Sequence, residues 1–412
     1  MKTLLVAALL LPLLAGCLSN DGGDGAPMAP TTTTAPVPEA SAITDMELLA
    51  SPQFNASDSP SATGIWTEDG LVYVSGRAGL RIVDVHDPAN PVVLAEDIPD
   101  TTSRDVDLIH HPNGHLYAIL ADSSESYTKL VDVTDPTAPL FVGHTDTCVH
   151  TVAVVPGTTV SYNSWSLCHA FVPGQPLNGD VEILDYADPE HPVSKLYVFP
   201  PVAMVGPAGA PKPVSATSCH EMSFNAELHR AYCAGISETQ VWDTTDPLNP
   251  VIISIIDDPL VNIHHSVWDA RNGTLLIIGD EFTGVLLPTP MCSDTVEYPT
   301  SALAFYDISD LRNPMRVGYY NIPYDSLAGS LESGAPQYCS THLGDVIDGT
   351  DLIVMGWYSA GTVLVDFTEP SDAKTVATWR ADGETFVWET RYMDGHVYSA
   401  DEVRGLDVLQ FI

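Results

Sequence analysis

The chain has 412 residues, 45% of them hydrophobic, which is enough to bury a large core in one globular body. It carries 54 Asp and Glu residues against 15 Lys and Arg residues, for a formal net charge of −39. This surplus of negative charge repels nucleic acid, so we expect no nucleic-acid partner, and it is typical of a solvated surface suited to high salt.

Residues 1–17 have the pattern of a lipoprotein signal peptide. The apolar run from Leu4 to Ala15 is too short to span a bilayer permanently, and Leu14-Ala15-Gly16-Cys17 resembles a lipobox. Cleavage before Cys17 leaves its thiol to receive a lipid, so we expect the lipid bilayer as a partner through this anchor. The alternative is an ordinary signal peptide with a chance cysteine. We therefore expect an extracytoplasmic, membrane-anchored lipoprotein, at the cell surface or in the periplasm.

Residues 18–42 are predicted to form a disordered tether. They are rich in Pro, Thr and Gly and lack the apolar content that a folded segment needs. The globular body is expected to span residues 43–412.

A short hydrophobic strand that ends in Asp and runs into a polar turn occurs six times along this body. Examples are RIVDVHDPANP and TKLVDVTDPTAP. Successive aspartates are 48 to 64 residues apart, and this period suits a β-propeller blade. They are Asp84, Asp132, Asp185, Asp243, Asp307 and Asp366.

Each of these strands is the third of four predicted antiparallel strands. A second strand such as Leu71–Val74 precedes it, and turns such as Asp69-Gly70 supply the positive φ of a tight hairpin. A fourth strand such as Val92–Ala95 follows the turn. We therefore predict an all-β, seven-bladed β-propeller of four-stranded antiparallel blades. The first strands are predicted to begin near Gly64, Asp105, His150, His220, His265, His342 and Trp388.

The last blade lacks a fourth strand, because the sequence stops at Ile412. The N-terminal segment Met46–Ala50 is predicted to supply it, which closes the ring non-covalently and removes two exposed sheet edges. Longer insertions interrupt the blades at about 200–217, 281–300 and 323–338, and functional loops in such scaffolds often lie at insertions.

The unit I-V-D-V-x-D-P-x-x-P, preceded by Gly-Leu in two blades, resembles the LVIVD repeat of extracytoplasmic propeller proteins. The resemblance covers nearly the whole body, although Gln410 replaces the aspartate of the last blade and the turn at Glu369-Pro370-Ser371-Asp372 lacks the second proline. It implies the propeller fold and says little about function, because propellers serve binding, scaffolding and catalysis alike.

Six cysteines remain when Cys17 is set aside, an even number that suits disulfides outside the cytoplasm. One predicted hairpin is flanked by Cys148 and Cys168, and another by Cys219 and Cys233. Cys292 and Cys339 are then left as a third pair. The sequence alone does not fix this connectivity, and free or metal-bound thiols are the alternative.

Alignment of the first strands places one aspartate and four histidines in a single column. Since first strands surround the axis of a propeller, neutral imidazoles there are candidate ligands for Cu, Fe or Zn, the only cofactor that the sequence suggests. Glu221 and Glu389 stand beside the column as supporting groups. Hydrogen bonding to a neighbouring blade's backbone and binding of a small ligand are the alternatives. The column is Asp105, His150, His220, His265 and His342.

No G-x-S-x-G, H-E-x-x-H, G-x-G-x-x-G or P-loop motif occurs, which removes the usual sequence evidence for hydrolases, zincins and nucleotide-binding proteins. We therefore favour a monomeric binding or scaffolding module at the cell surface, with an envelope protein or a small ligand as partner. The alternative is a metal-dependent redox enzyme, or a metal-binding protein, that uses the ring of channel histidines.

Overall fold

Strands make up almost all of the regular structure in this protein. The computed structural model describes residues 39–54, 61–96, 98–147, 149–164, 180–198, 219–235, 238–258, 260–261, 263–281, 301–323 and 338–412. Over these residues 28 strands form seven antiparallel sheets of four strands each, which confirms the predicted seven-bladed propeller.

Six blades are built from consecutive strands, and the seventh combines both ends of the chain. The strands of blades 1 to 3 are β2 (Ile65–Glu68), β3 (Leu71–Val74), β4 (Arg81–Asp84), β5 (Val92–Ala95), β6 (Asp105–His110), β7 (Leu116–Asp122), β8 (Tyr127–Asp132), β9 (Leu140–Asp146), β10 (Thr151–Val154), β11 (Val160–Ser164), β12 (Asp180–Asp185) and β13 (Val193–Val198). Those of blades 4 and 5 are β14 (Glu221–Asn225), β15 (Arg230–Ala234), β16 (Thr239–Asp243), β17 (Val251–Ile256), β18 (His264–Ala270), β19 (Leu275–Asp280), β20 (Leu303–Asp307) and β21 (Met315–Tyr320). Those of blades 6 and 7 are β22 (Gly344–Val346), β23 (Leu352–Gly356), β24 (Thr362–Asp366), β25 (Lys374–Trp379), β26 (Val387–Met393), β27 (His396–Asp401), β28 (Gly405–Phe411) and β1 (Met46–Ala50). Short 3₁₀ helices lie at Ala40–Ala42 and Pro370–Asp372.

The aspartate that ends the third strand of six blades caps the turn that follows it. In each case its Oδ1 accepts a hydrogen bond from the backbone N–H two residues later, at 2.8 to 3.0 Å. The next aspartate in the turn, such as Asp135, accepts in the same way. The side-chain hydrogen bonds of these aspartates take the place of backbone hydrogen bonds within the turn, and the proline fixes the backbone angle φ. The repeated sequence therefore specifies the connection from the third to the fourth strand.

The hydrophobic core lies between neighbouring sheets. Among the described residues, seven clusters of buried side chains each join two adjacent blades. One of them packs Val72 and Val83 of blade 1 against Tyr398 and Val408 of blade 7. A four-stranded sheet cannot cover both of its own faces, so every blade depends on two neighbours.

Side chains also connect the innermost strands from blade to blade. Asp107 accepts a hydrogen bond from the Val154 N–H at 2.7 Å, which links blades 2 and 3. The Trp268 Nε1–H donates to the Gly344 carbonyl at 2.8 Å, which links blades 5 and 6. These bonds hold the first strands in a fixed register around the central channel.

The N-terminal strand closes the ring as predicted. β1 pairs antiparallel with β28, the last strand of the chain, so sheet order in blade 7 is β1-β28-β27-β26. The Thr44 N–H and hydroxyl both donate to the Ile412 carbonyl, at 2.6 and 2.9 Å. The predicted bounds Met46–Ala50 are confirmed.

One disulfide joins Cys219, just before β14, to Cys233 on β15, with their Cα atoms 5.2 Å apart. Cys339 is also disulfide-bonded. The predictions for Cys17, Cys148, Cys168 and Cys292, for the signal peptide and for residues 18–38 of the tether fall on positions outside the described residues. Among the described residues, no helix has both the length and the hydropathy that a membrane crossing requires.

We expect Met46→Ala to destabilise the whole propeller by about 2 to 5 kcal/mol, because it leaves a cavity in the cluster between blades 6 and 7. The Met46 side chain is only 4% exposed, whereas Leu48 on the same strand is 39% exposed. Leu48→Ala is therefore the matched control and should cost far less. Denaturant unfolding followed by circular dichroism measures both changes. Equal losses from the two variants would contradict closure of the ring by β1.

Candidate binding site at the channel histidines

Four histidines from four consecutive blades form a row at the centre of the ring. The ring centroids of His150 and His220 are 4.5 Å apart, and those of His220 and His265 are 3.9 Å apart. The row ends with His342, whose ring centroid is 4.4 Å from that of His265. All four predicted histidines therefore lie in one cluster, which we call the histidine row. The neighbouring His264 is not part of it, since its Nδ1 is bonded to the Thr239 hydroxyl at 2.8 Å.

A carboxylate that the sequence analysis did not single out lies beside the row. Glu281 directly follows β19, and its Oε2 is 3.3 Å from His265 Nε2. The Tyr358 hydroxyl donates to Glu281 Oε1 at 2.5 Å, which fixes the orientation of the carboxyl group. Glu281 has no counterpart in the repeated sequence. The one feature of the sequence that could have indicated it is its position at the start of the insertion at about 281–300.

Burial keeps the imidazoles of the row neutral. It lowers the pKa of His220 to about 3, with a further contribution from the positive charge of Arg104. It also holds the pKa of His150, His265 and His342 well below the ordinary value. A neutral imidazole keeps one ring nitrogen with a lone pair, which is the form that binds a metal or accepts a hydrogen bond.

Several ring nitrogens of the row have no hydrogen-bond partner among the described residues. They are His220 Nδ1 and both nitrogens of His265, whose side chain is completely buried. These nitrogens lack a well-aligned hydrogen bond, although the backbone of His265 lies against the His220 ring, and that of His342 against the His265 ring, and in each case it raises the pKa of the ring slightly. The 3.3 Å contact between His265 and Glu281 lacks the alignment of a hydrogen bond. By contrast, His342 Nδ1 lies 2.6 Å from the Trp388 carbonyl, to which it donates, so its lone pair is on Nε2. Buried polar atoms without partners are costly and rare in folded proteins.

Aromatic side chains and one arginine border the row on the side of blade 7. The rings of Tyr358 and Trp388 lie 4.7 and 4.5 Å from that of His342. The Arg104 guanidinium is 5.0 Å from the Trp388 ring centroid, a cation–π distance. A cavity of about 10 Å³ reaches His150, His220 and His342. This volume is near the lower limit for one water molecule, so the row itself accommodates only an ion-sized ligand.

The three acidic residues predicted for the site line a second, larger cavity, and Asp105 also lines the small cavity beside the row. Asp105 accepts hydrogen bonds from the N–H groups of Val106 and Val152, and Glu389 accepts one from the Ile65 N–H. Both residues thus bond the backbone of the adjacent blade, the role that the sequence analysis gave as an alternative for the column. Glu221 Oε1 accepts from its neighbour's N–H, and its Oε2 has no partner among the described residues.

These carboxylates line a cavity of about 290 Å³ together with Asp107, Asp345 and the single cation Arg391. Arg391 Nη2 is 2.7 Å from Glu389 Oε1. Burial raises the pKa of Asp105, Asp107 and Glu389 to about 7, because one arginine offsets only part of the cost of burying so many negative charges. The sequence analysis missed Asp107, Asp345 and Arg391, although Asp107 has the same strand parity as Asp105.

We expect the contribution of Asp107 and its buried neighbours to stability to fall as the pH rises from about 4 to about 7. The folded state keeps protons on these carboxyl groups up to a pKa of about 7, whereas the unfolded chain releases them near the ordinary value of 3.8. In this range the unfolded chain binds fewer of these protons, so the contribution of the carboxyl groups to the free energy of unfolding decreases with increasing pH.

Asp107→Asn should reduce this slope by up to about 1.4 kcal/mol per pH unit, since it removes one titrating group. The exposed Asp382→Asn is the control and should leave the slope unchanged. Urea unfolding over this pH range measures the slopes. A wild-type slope in Asp107→Asn would show that the Asp107 carboxyl does not titrate there.

Comparison with known proteins bears on the fold. Residues 60–96 match the LVIVD repeat. A comparison with curated proteins finds no match.

Among solved structures, a chain in "Crystal Structure of Mitotic Checkpoint Complex" is 13% identical, with a TM-score of 0.54 over 98% of this chain and 99% of that chain. The Myceliophteria thermophila Cps50 (Swd1) β-propeller domain is 9% identical, with a TM-score of 0.57 over 89% and 100% of the two chains. Chaetomium thermophilum Raptor is 8% identical, with a TM-score of 0.54 over 85% of this chain and 28% of that one. At these identities the similarity concerns the fold alone. The chain is therefore a seven-bladed β-propeller that contains an LVIVD repeat at residues 60–96.

Proposed function

We propose that this protein is a membrane-anchored binding module outside the cytoplasm and that it binds an ion-sized ligand at the histidine row. One observation carries the proposal: buried, neutral imidazoles from different blades meet, and ring nitrogens of His220 and His265 make no well-aligned hydrogen bond among the described residues. A ligand that takes up these lone pairs offsets the cost of burying them.

The anchor rests on the N-terminal sequence, where Cys17 ends a lipobox-like motif. In the sequence, the predicted tether of residues 18–42 lies between this cysteine and the propeller. A net charge of −39 repels the protein from anionic headgroups, so we attribute membrane association to the lipid and not to the surface of the propeller. An envelope protein at one rim of the propeller is the corresponding scaffolding partner.

A second candidate is a metal-dependent redox enzyme. The observation that favours it is the contact between the Tyr358 hydroxyl and Glu281, directly beside His265. Carboxyl groups with shifted pKa values next to neutral histidines are frequent in active sites, although networks of ion pairs also shift pKa values.

We expect Cys17→Ala to move the protein from the membrane fraction to the soluble fraction, because the lipid attachment site is lost. Ser41→Ala, at an exposed position in the short 3₁₀ helix Ala40–Ala42, is the control and should remain with the membrane. Ultracentrifugation of lysed cells followed by immunoblotting measures the distribution. If Cys17→Ala stays in the membrane fraction to the same extent as the control, the lipid anchor is refuted.

Ligand binding is tested by melting tag-free protein with a panel of metal salts and small inorganic anions. A ligand at a hundredfold excess over its Kd should stabilise the protein by about 2.7 kcal/mol. His220→Ala should abolish this shift, whereas His191→Ala, whose side chain is exposed, should retain it. If no member of the panel shifts the melt in a His220-dependent way, the proposed binding at the histidine row is wrong.

A further inference from the structure

We propose that His220, His265 and Glu281 together bind a single first-row transition-metal ion, of the class of Zn²⁺, Cu²⁺ or Fe²⁺. The inference rests on the proposed function and makes it specific: it names the ligand class and adds a carboxylate that the repeated sequence does not contain. His150 and His342 are then neighbours of the metal ligands at the two ends of the row.

The spacing of the three side chains suits one ion. Each offers one ligand atom, and these atoms all lie within 4.8 Å of one another. Ligands bound to one tetrahedral ion at about 2.1 Å lie about 3.4 Å apart. The distance of 3.3 Å between His265 Nε2 and Glu281 Oε2 already matches, and the ligand atom of His220 lies within 4.8 Å of both. No other group of three His, Cys, Asp or Glu ligand atoms comes this close among the described residues.

The missing hydrogen bonds provide a second, independent observation. The His265 side chain is fully buried, and neither of its ring nitrogens makes a well-aligned hydrogen bond among the described residues. His220 Nδ1 is in the same situation. A bound metal takes the lone pair of one nitrogen in each ring, and the other nitrogen keeps its proton, with the backbone of the next blade against it, at His265 for the His220 ring and at His342 for the His265 ring.

Neighbouring groups orient the carboxylate toward the histidines. The Tyr358 hydroxyl donates a hydrogen bond to Glu281 Oε1, and the other oxygen, Oε2, faces His265. Glu281 is the member of this set that can carry a negative charge, which would offset part of the charge of a divalent cation near Arg104.

The chemistry of the ligands selects the metal. Two imidazoles and one carboxylate suit zinc, copper and iron, whereas calcium and magnesium prefer all-oxygen sites. Two histidines with one carboxylate also leave coordination positions for water or another ligand. The carboxylates that line the larger cavity are excluded from this set, because Asp105 and Glu389 use their oxygens to bond the backbone of adjacent blades.

The test uses tag-free protein that has been stripped with a chelator and then loaded with Cu²⁺ or Zn²⁺. Elemental analysis after gel filtration should find about one equivalent of metal per chain. Electron paramagnetic resonance of the copper form should show two coordinated nitrogens, and His220→Ala should reduce them to one.

Glu281→Gln should weaken metal binding by at least about tenfold, because the amide is a poorer ligand although it retains the shape of the side chain. Glu389→Gln is the matched control, a carboxylate of the same channel outside the ligand set, and should keep wild-type affinity. Circular dichroism verifies that each variant is folded. If His220→Ala does not fold, the nitrogen count of the wild type and the affinity of Glu281→Gln still decide the question.

Metal content below about a tenth of an equivalent after loading overturns the inference. Four coordinated nitrogens, or wild-type affinity in Glu281→Gln, likewise overturn the assignment of Glu281. In each of these cases the broader proposal survives if a panel ligand still stabilises the protein in a His220-dependent way. The absence of any such ligand refutes both.

Discussion

The structure depends on one constraint: no blade can cover both of its faces, so each must pack against two others until the ring is closed. Every buried cluster among the described residues is shared between adjacent blades, and one of them joins blade 7 to blade 1. Pairing of β1 with β28 completes the last sheet with a strand from the opposite end of the chain. The stability of any one sheet is therefore inseparable from that of the ring.

Closure also brings distant residues together at the centre. His150 and His342 are separated by 192 positions in the sequence, yet they belong to one row because each lies at the start of an innermost strand. The same column position serves two purposes around the ring. Where it holds Asp105, the side chain bonds the backbone of the next blade. Where it holds His265, the ring nitrogens make no well-aligned hydrogen bond among the described residues, and a lone pair remains available for a ligand.

Most of the fold could be predicted from the sequence, because local interactions specify it. The aspartates that end the third strands accept hydrogen bonds within their own turns, so the repeated residues themselves make the contacts that define each turn. The closing strand Met46–Ala50 could be identified because the last blade visibly lacked a fourth strand. The histidine column followed from strand alignment, since equivalent positions of a symmetric ring meet at its axis.

The rest of the site depends on contacts that no repeat encodes. Glu281 has no equivalent in other blades, and it reaches His265 only because β19 ends beside the channel. Tyr358, which orients it, comes from blade 6 and has an unusual positive φ of 42°. Arg391 offsets the negative charge of carboxylates that come from several blades. These contacts join different strands, so no pattern along a single strand indicates them. Such residues are visible only when the blades are assembled.

The most direct measurement of the closed ring is native-state hydrogen exchange, followed by mass spectrometry at increasing denaturant concentration. At low denaturant, amides in β6, β14, β22 and β28 are expected to exchange with different free energies of opening. As the denaturant concentration rises, these free energies should converge on one global unfolding transition, because no blade stays folded without its neighbours. Blades that instead open independently, with stability that declines steadily from one end of the chain, would indicate an open array of repeats and contradict closure as the basis of the fold.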